Sequence, residues 1–247
     1  MERPQGRRLD GAASRPGRGA SATRLGSAAA DRLVAAGAAA AACARGDGGG
    51  TGRLQGGLEA AVAEAKAAHP DRPVEVWAED EHRLGLKPVR RRVWAPVGQR
   101  PIALGHHRYQ WLQVIAFVQP TSGETVWYLA SRLSKPFFAE LLAAFARPTG
   151  AGRERHIVLV LDNAGWHGPG GLAVPEGISL VFLPPYGPEL QPAERLWPLV
   201  DEPIVNRHFA TLAELEAVIA ERCRRLEAAA IRPHTDFHWW PKPIRPN

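Results

Sequence analysis

The feature that most constrains the fold of this chain is a run of five consecutive apolar residues, Ile157 to Leu161, between His156 and Asp162. Side chains alternate between the two faces of a sheet, so a strand is apolar at every position only when both faces are covered. Such strands lie at the centre of parallel or mixed sheets with helices on both sides. The run therefore predicts a mixed α/β domain.

The surrounding sequence supplies partners for this strand. Upstream, residues with β-propensity recur between short Gly- and Pro-containing connections, which is typical of an antiparallel meander. Downstream, apolar residues recur at helical spacing, and Thr211 with Glu214 forms a capping-box signature. We predict strands over 74–80, 90–97, 109–118, 125–130, 156–162 and 178–183, and helices from Leu58 to before His69 and over 135–146, 192–200 and 211–226.

Residues 1–56 form a segment of different composition. They contain one Val, no Ile and no aromatic residue, and all eighteen aromatic residues of the chain lie at or beyond Trp77. A segment so poor in large apolar side chains cannot offset the entropy lost on ordering, so we expect disorder over 1–56 and a folded domain over 57–247. Nine Arg and four acids up to residue 57 account for +5 of the net charge of +6. A basic arm that touches nucleic acid is the alternative interpretation.

The cysteine usage and the hydropathy of the sequence bear on its cellular compartment. Cys43 and Cys223 are 180 positions apart, which is neither a metal-ligand spacing nor a disulfide framework. A reducing cytoplasm fits this cysteine usage. The sequence contains no apolar stretch of the roughly 18 residues that a membrane-spanning helix needs, so we expect no membrane partner.

Three acidic residues occupy positions where α/β proteins bind ligands. Asp80 and Asp162 each follow an apolar stripe at the carboxyl end of a predicted strand, where open α/β sheets place their ligands. Glu194 falls in the first turn of a predicted helix, where the helix dipole favours an ionised carboxylate. Taken singly, each residue also has a structural explanation, as a turn-forming Asp or as a Glu stabilised by the dipole.

Taken together, the three acids predict a metal site. Three carboxylates brought close would repel one another unless a cation lay among them, and ligands that are all oxygen suit Mg²⁺ or Mn²⁺. Two such ions about 3.5 to 4 Å apart activate a water or a 3′-hydroxyl and stabilise the leaving oxygen of a phosphodiester. We therefore predict Asp80, Asp162 and Glu194 as metal ligands and catalytic residues, with two Mg²⁺ or Mn²⁺ ions as cofactor.

The segment over 82–123 contains seven basic residues and no acid, with Trp94 and Trp111 interleaved. A basic meander that follows Asp80 directly could track a phosphate backbone, since Arg makes bidentate contacts with phosphate. A solvated sheet face is the alternative interpretation. The predicted DNA-binding residues are Lys87, Arg90, Arg91, Arg92, Trp94 and Arg100.

Three blocks of the sequence resemble insertion-sequence transposases of the mariner superfamily. The blocks cover 74–101 (VEVWAEDEHRLGLKPVRRRVWAPVGQRP), 156–167 (HIVLVLDNAGWH) and 183–197 (LPPYGPELQPAERLW), and 31 residues separate Asp162 from Glu194. Those transposases are DDE endonucleases, so the resemblance implies a ribonuclease-H-like mixed sheet with flanking helices over 57–247. It matches Asp80, Asp162 and Glu194 to the three catalytic acids. Glu81, Asn163 and His167 match positions that accompany these acids, which makes them candidate supporting residues.

The resemblance also implies partners and alternatives. It implies metal-dependent cleavage and strand transfer on double-stranded DNA, at transposon ends and at a target, by a chain that can form a homodimer and associates with the cytoplasmic nucleoid. The third block has Gln191 where the family usually has Asn and Gly187 where Ser is usual. Family members carry paired helix-turn-helix units, and 1–56 show no such pattern, which favours a truncated or frame-disrupted copy. An inactive remnant that binds DNA or intact copies, and a host nuclease for RNA–DNA hybrids, are the alternative hypotheses.

Overall fold

The computed structural model of the protein describes residues 6–7, 48–98, 102, 104, 109–168, 170–185 and 187–242. Within these ranges the regular elements alternate along the chain. The strands are β1 (Gly6–Arg7), β2 (Val74–Gly85), β3 (Trp111–Gln119), β4 (Glu124–Ala130), β5 (His156–Leu161) and β6 (Ile178–Phe182), and the helices are α1 (Gly48–Ala68), α2 (Lys135–Thr149), α3 (Trp197–Asp201), α4 (Leu212–Arg225) and α5 (Ala228–Thr235).

The strands form one mixed sheet in the order β1-β4-β3-β2-β5-β6. Strands β2, β3 and β4 make the predicted antiparallel meander. Strand β5 runs parallel to both of its neighbours, β2 and β6. All six residues of β5 are buried, as its continuous apolar run predicted. The two-residue strand β1 pairs with the end of β4 at one edge.

Two apolar clusters cover the two faces of the sheet. On one face, which we call the α2 face, Trp77, Phe117 and Leu159 pack against the apolar stripe of α2. On the other, the α4 face, Val76, Ala78 and the alternate residues of β5 pack against α1, α3, α4 and α5. The period of two along the strand therefore places successive side chains of β2 on opposite faces of the sheet.

Two helices begin as their sequences predict. Ser134 caps α2, since its hydroxyl accepts a hydrogen bond from the backbone N–H of Phe137 at 3.4 Å. At α4, the Thr211 hydroxyl accepts from the N–H of Glu214 at 3.2 Å, and the Glu214 carboxylate accepts from the N–H of Ala210 at 3.0 Å. These caps satisfy donors that the first turn of a helix leaves unpaired.

The prediction of a strand over 90–97 is wrong. Strand β2 instead continues through Asp80 to Gly85, and the segment that follows has no regular structure and is exposed. The backbone around this segment forms hydrogen bonds with Asn206 and not with a neighbouring strand. The backbone N–H of Asn206 donates to Val89 O at 2.8 Å. The side-chain oxygen of Asn206 accepts from the N–H of Arg91 at 2.9 Å. Once these groups are paired, no neighbouring strand is required.

Three further boundaries differ from the predictions. Helix α1 begins at Gly48, inside the range predicted to be disordered, because Leu54 already packs into the core. The remaining predicted disorder lies outside the described residues, apart from β1. The helix predicted over 192–200 is a 3₁₀ turn, Pro192–Leu196, followed by the short α3. Helix α5 was not predicted.

No helix in the described ranges is long and apolar enough to cross a membrane.

The β3–β4 turn offers a test of packing between the meander and α5. Gly123 has φ of 78°, and a Cβ at this position would overlap the carbonyl oxygen of Ala228. Gly98 has a similar φ of 84° but nothing within 4 Å of a Cβ. We expect Gly98→Ala to cost about 1 kcal/mol from backbone strain alone and Gly123→Ala to cost about 3 kcal/mol, measured by denaturant unfolding. Equal losses would contradict this packing.

Candidate active site

The pairing of β2 with β5 places two aspartates side by side. The parallel register runs from Val74 opposite His156 to Ala78 opposite Val160. Two residues further on, the same register puts Asp80 opposite Asp162, just past the end of β5. Neighbouring strands are about 4.8 Å apart. Asp80 continues the alternation of the α4 face. The Asp162 carboxylate, one residue past the end of β5, contacts His167, which lies beside Glu79 and Glu81 of the α2 face. The prediction that Asp80 ends its strand is wrong, because β2 continues to Gly85. Strand β5 ends at Leu161, however, so Asp80 lies level with the carboxyl end of β5.

Asp80 is held by the indole of Trp197. Trp197 Nε1 donates a hydrogen bond to Asp80 Oδ2 at 2.8 Å. Burial raises the pKa of Asp80 to about 7, although the bonds from Trp197 and from the Glu81 N–H oppose the rise. The charges of Glu81 and Glu194 raise this pKa further. Asp80 is therefore a carboxylate whose ionised form needs a positive partner at neutral pH.

Glu194 approaches from the 3₁₀ turn Pro192–Leu196, and its side chain is exposed. Its pKa is raised, first by partial desolvation and then by the charges of Glu189 and Asp162, while Arg195 lowers it. The predicted effect of the helix dipole on Glu194 stays a prediction. The net shift of its pKa is upward, because desolvation is the largest effect.

Gln191 attaches the Glu194 turn to the sheet. It makes no side-chain cap at the start of this turn. Instead, its buried amide donates through Nε2 to the backbone oxygen of Glu79 at 2.8 Å. The residue that accepts this bond directly precedes Asp80, so the bond connects the start of the Glu194 turn to the strand that carries Asp80.

The three predicted acids therefore share one region at the carboxyl end of β5. The charge of Glu194 raises the pKa of Asp80, and the charge of Asp162 raises the pKa of Glu194. A cation bound near these carboxylates would favour their ionised forms, because it would offset the repulsion between their charges. Their oxygens are the ligands that Mg²⁺ and Mn²⁺ prefer.

Asp162 is held from the α2 face by His167. Its Oδ1 lies 2.7 Å from His167 Nδ1 and accepts the N–H of Ala164 at 2.9 Å. The other ring nitrogen of His167 lies 3.1 Å from Glu81 Oε1, which also accepts the indole N–H of Trp166 at 2.6 Å. The predicted supporting residues Glu81 and His167 are thus brought together around Asp162.

The electrostatics of this network make His167 a cation. Burial lowers the pKa of its imidazole, but the hydrogen bonds to Asp162 and Glu81 and the charge of Glu79 raise that pKa to about 11. The bond from His167 in turn lowers the pKa of Asp162, against the effect of burial. At neutral pH, His167 therefore donates through both nitrogens, and Asp162 is ionised.

Glu79 is a site residue that the sequence analysis missed. It is fully buried, and neither carboxylate oxygen has a hydrogen-bond partner among the described residues. His167 Nε2 lies 3.4 Å from its Oε2. Burial raises its pKa well above the ordinary value, and the charge of Glu81 adds to this rise. An acid alternating with Trp77 on the buried face of a central strand was the available signal.

A second arrangement of metal ligands is present on the α2 face. Glu79, Glu81 and His167 offer ligand atoms that lie within 4.8 Å of one another. A metal ion there would need the Nε2 lone pair of His167. A metal ion there would have to displace the proton that Asp162 and Glu81 stabilise on the imidazole, so metal binding would compete with protonation. The all-oxygen set formed by Asp80, Asp162 and Glu194 is chemically the better fit to Mg²⁺ or Mn²⁺.

The remaining predicted site residues are one supporting residue, Asn163, and the six predicted DNA-binding residues. Asn163 donates through Nδ2 to Leu183 O at 2.7 Å and so links the loops that follow β5 and β6. Lys87, Arg90, Arg92 and Trp94 are exposed beyond the end of β2. Arg91 is also exposed but forms an ion pair with Glu202 at 2.7 Å. Arg100 lies outside the described residues.

Comparisons with known proteins bear on this geometry. A family model described as DDE superfamily endonuclease matches residues 75–216. The uncharacterised protein y4pE/y4sA of Sinorhizobium fredii (strain NBRC 101917 / NGR234) is 37% identical over 100 residues, which cover 40% of this chain and 73% of that protein. The family match confirms the predicted DDE family.

The fold is similar to solved structures of Mos1 transposase. The Mos1 paired-end complex with the left transposon end has a TM-score of 0.51 at 12% identity, over 84% of this chain and 65% of that chain. The Mos1 mariner paired end complex with Mn has a TM-score of 0.51 at 13% identity, over 83% of this chain and 63% of that chain. The chain thus spans slightly less than two thirds of these structures. The likeness confirms the predicted ribonuclease-H-like fold.

The bond from Gln191 can be tested by removing its amide. Gln191→Ala leaves the buried Glu79 carbonyl without this donor, which we expect to cost about 1 to 3 kcal/mol of unfolding free energy. Gln55→Ala is the matched control, since the Gln55 amide bonds only to Glu59 on the exposed surface of α1. Denaturant unfolding of both variants measures the difference. A Gln191→Ala variant as stable as Gln55→Ala would contradict the anchoring role.

The buried acid predicts how stability depends on pH. The pKa of Glu79 is higher in the folded chain than in the unfolded chain, so the folded state binds more protons and stability falls as pH rises above about 4.3. Glu79→Gln removes this dependence. In metal-free buffer, we expect the Tm of the variant relative to wild type to increase between about pH 5 and pH 8.

The control for this measurement is Glu124→Gln, which changes an exposed acid at the start of β4. Its Tm relative to wild type should stay constant over the same range. A Glu79→Gln profile parallel to that of wild type would show that Glu79 ionises at no cost to folding.

Proposed function

This chain belongs to the family of DDE superfamily endonucleases, and we propose that it is a transposase that cuts and joins DNA by metal-dependent phosphodiester chemistry. The proposal is supported by one observation: Asp80 and Asp162 follow a register of adjacent parallel strands, and Glu194 lies close enough to interact with both of their charges. The sequence order and spacing of these acids support it, as does the fold shared with Mos1 transposase.

The proposed cofactor is a pair of Mg²⁺ or Mn²⁺ ions held by Asp80, Asp162 and Glu194. When bound, the ions supply activation of a water or a 3′-hydroxyl and stabilisation of the leaving oxygen. The Mos1 complex with Mn supports a divalent metal. His167 fixes Asp162, and Gln191 fixes the turn that carries Glu194, so the fold holds two of the three proposed ligands.

In the proposed reaction, the protein's own residues position groups and set charge. His167 is a cation buried behind Asp162 and keeps that carboxylate ionised. The elevated pKa of Asp80 means that ligand binding and proton loss are coupled at this position. A water or a 3′-hydroxyl would be placed next to the three acids for attack on a phosphodiester, first for strand cleavage and then for strand transfer.

The proposed substrate is double-stranded DNA at transposon ends and at a target. Among the predicted contact residues, Lys87, Arg90, Arg92 and Trp94 are exposed beyond the end of the strand that carries Asp80. Exposed cations can bind phosphates, and an exposed indole can stack on a base. Arg91 would have to break its ion pair with Glu202 before it could bind a phosphate. Arg100, the homodimer and association with the nucleoid remain predictions from the family resemblance.

A nicking assay tests the proposal. With Mn²⁺ or Mg²⁺ and DNA that carries a transposon end, wild type should nick the DNA and Asp162→Ala should lower the rate by at least about 100-fold, since it removes a metal ligand. Asp71→Ala, which changes an exposed acid in the turn before β2, is the control and should retain the wild-type rate.

The alternatives give different results in the same assay. Equal cleavage by wild type and Asp162→Ala would overturn the assignment of the site. DNA binding without cleavage would support an inactive remnant. Cleavage of RNA–DNA hybrids without preference for transposon ends would support a host nuclease.

A further inference from the structure

Two side chains of β2 contact two side chains of α3 beside the proposed metal site. Asp80 accepts the indole N–H of Trp197 at 2.8 Å. His82 stacks on the same indole, with ring centroids 5.0 Å apart and an interplanar angle of 17°. The Nε2 of His82 lies 2.9 Å from Asp201 Oδ1. The four residues form a continuous chain of contacts from Asp201 to Asp80.

The spacing of residues along β2 and along α3 explains why these two pairs of side chains can contact each other. Asp80 and His82 are two residues apart on a strand, a rise of about 6.8 Å at about 3.4 Å per residue. Trp197 and Asp201 are four residues apart on a helix, a rise of about 6 Å at 1.5 Å per residue. The spacings are similar, so the helix can contact the strand at two points, with the stacked rings between them.

Helix α3 also follows directly on the turn that carries Glu194. Trp197 is the first residue of α3 and the residue after the 3₁₀ turn Pro192–Leu196. A group that holds Asp80 is therefore rigidly connected to the third acid, three residues upstream. The sequence analysis matched Glu194 to a catalytic position, but neither composition nor spacing indicated that Trp197 contacts Asp80.

We propose that Trp197 is a positioning residue that orients the Asp80 carboxylate for cation binding, with His82 and Asp201 fixing the indole from behind. This inference rests on the proposed function, because it assumes that Asp80 is a metal ligand. The indole N–H is a neutral donor that stays protonated at all relevant pH values. A carboxylate has about four lone-pair sites, so bonds from Trp197 and from the Glu81 N–H leave acceptor capacity for a cation.

If Trp197 had only a structural role, its replacement would affect stability through packing and not through the Asp80 carboxylate. The indole is half-buried and packs against the α4-face cluster, so its loss could act through packing alone. Trp197→Phe separates the two roles, because Phe keeps an aromatic ring for His82 to stack on but has no N–H. Trp127→Phe is the matched control: Trp127 lies in the same cluster, and its N–H bonds to Thr125 at 2.9 Å on β4.

The first measurement is a calorimetric titration of the full chain with Mn²⁺. We expect Trp197→Phe to weaken Mn²⁺ binding by about 10- to 100-fold, the range typical for loss of a hydrogen bond to a metal ligand. His82→Phe, which keeps the stack but loses Asp201, should weaken binding less. Trp127→Phe should bind Mn²⁺ as wild type does, whatever its Tm. In the nicking assay, Trp197→Phe should lower kcat at saturating DNA and leave the KM for DNA unchanged.

The second measurement needs no metal. The indole N–H resonance of Trp197, assigned by its absence from Trp197→Phe, should shift in Asp80→Asn and exchange faster with solvent. An unchanged resonance would overturn the proposed contact. If wild type and Trp197→Phe bind Mn²⁺ equally, the positioning role is wrong while the metal site stands. If wild type binds no Mn²⁺, the proposed function fails, and the resonance still decides whether Trp197 holds Asp80.

Discussion

The parallel pairing of β2 with β5 is the constraint on which the rest of the structure depends. Strand β5 is buried at every position, and the part of β2 that pairs with it is mostly buried. A slip of one residue in either strand would move its apolar side chains to the opposite face of the sheet. That register places Asp80 opposite Asp162. The hydrophobic core thus determines the relative position of the first two acids, although neither of them belongs to it.

Clustered carboxylates destabilise the fold unless something balances their charge. The protein uses a different group on each face of the sheet. On the α2 face, the imidazolium of His167 lies between Asp162 and Glu81, close to the buried Glu79. On the α4 face, the neutral indole of Trp197 binds Asp80, whose pKa is about 7. The contact with His167 therefore lowers the pKa of Asp162, whereas burial raises the pKa of Asp80.

Much of the fold and the identities of the three acids could be predicted from the sequence. The apolar run of β5 indicates a strand covered on both sides, and the capping residues of α4 indicate where that helix begins. The segment over 90–97 shows the limit, because its β-propensity was outweighed by backbone hydrogen bonds to Asn206, more than a hundred residues away. Long-range partners of this kind leave no periodic pattern in the chain.

The sequence by itself determined the class of fold and the family, and it predicted three acids as the site, because these inferences depend on local periodicity and on short blocks whose residues lie close together along the chain. Only the tertiary structure decided how those acids are held. The buried Glu79, the bond from Gln191 and the contact between Trp197 and Asp80 join residues that are far apart in sequence. Hydrogen bonds and pKa shifts depend on distance and burial in space, which become defined only when the sheet and its helices have packed together.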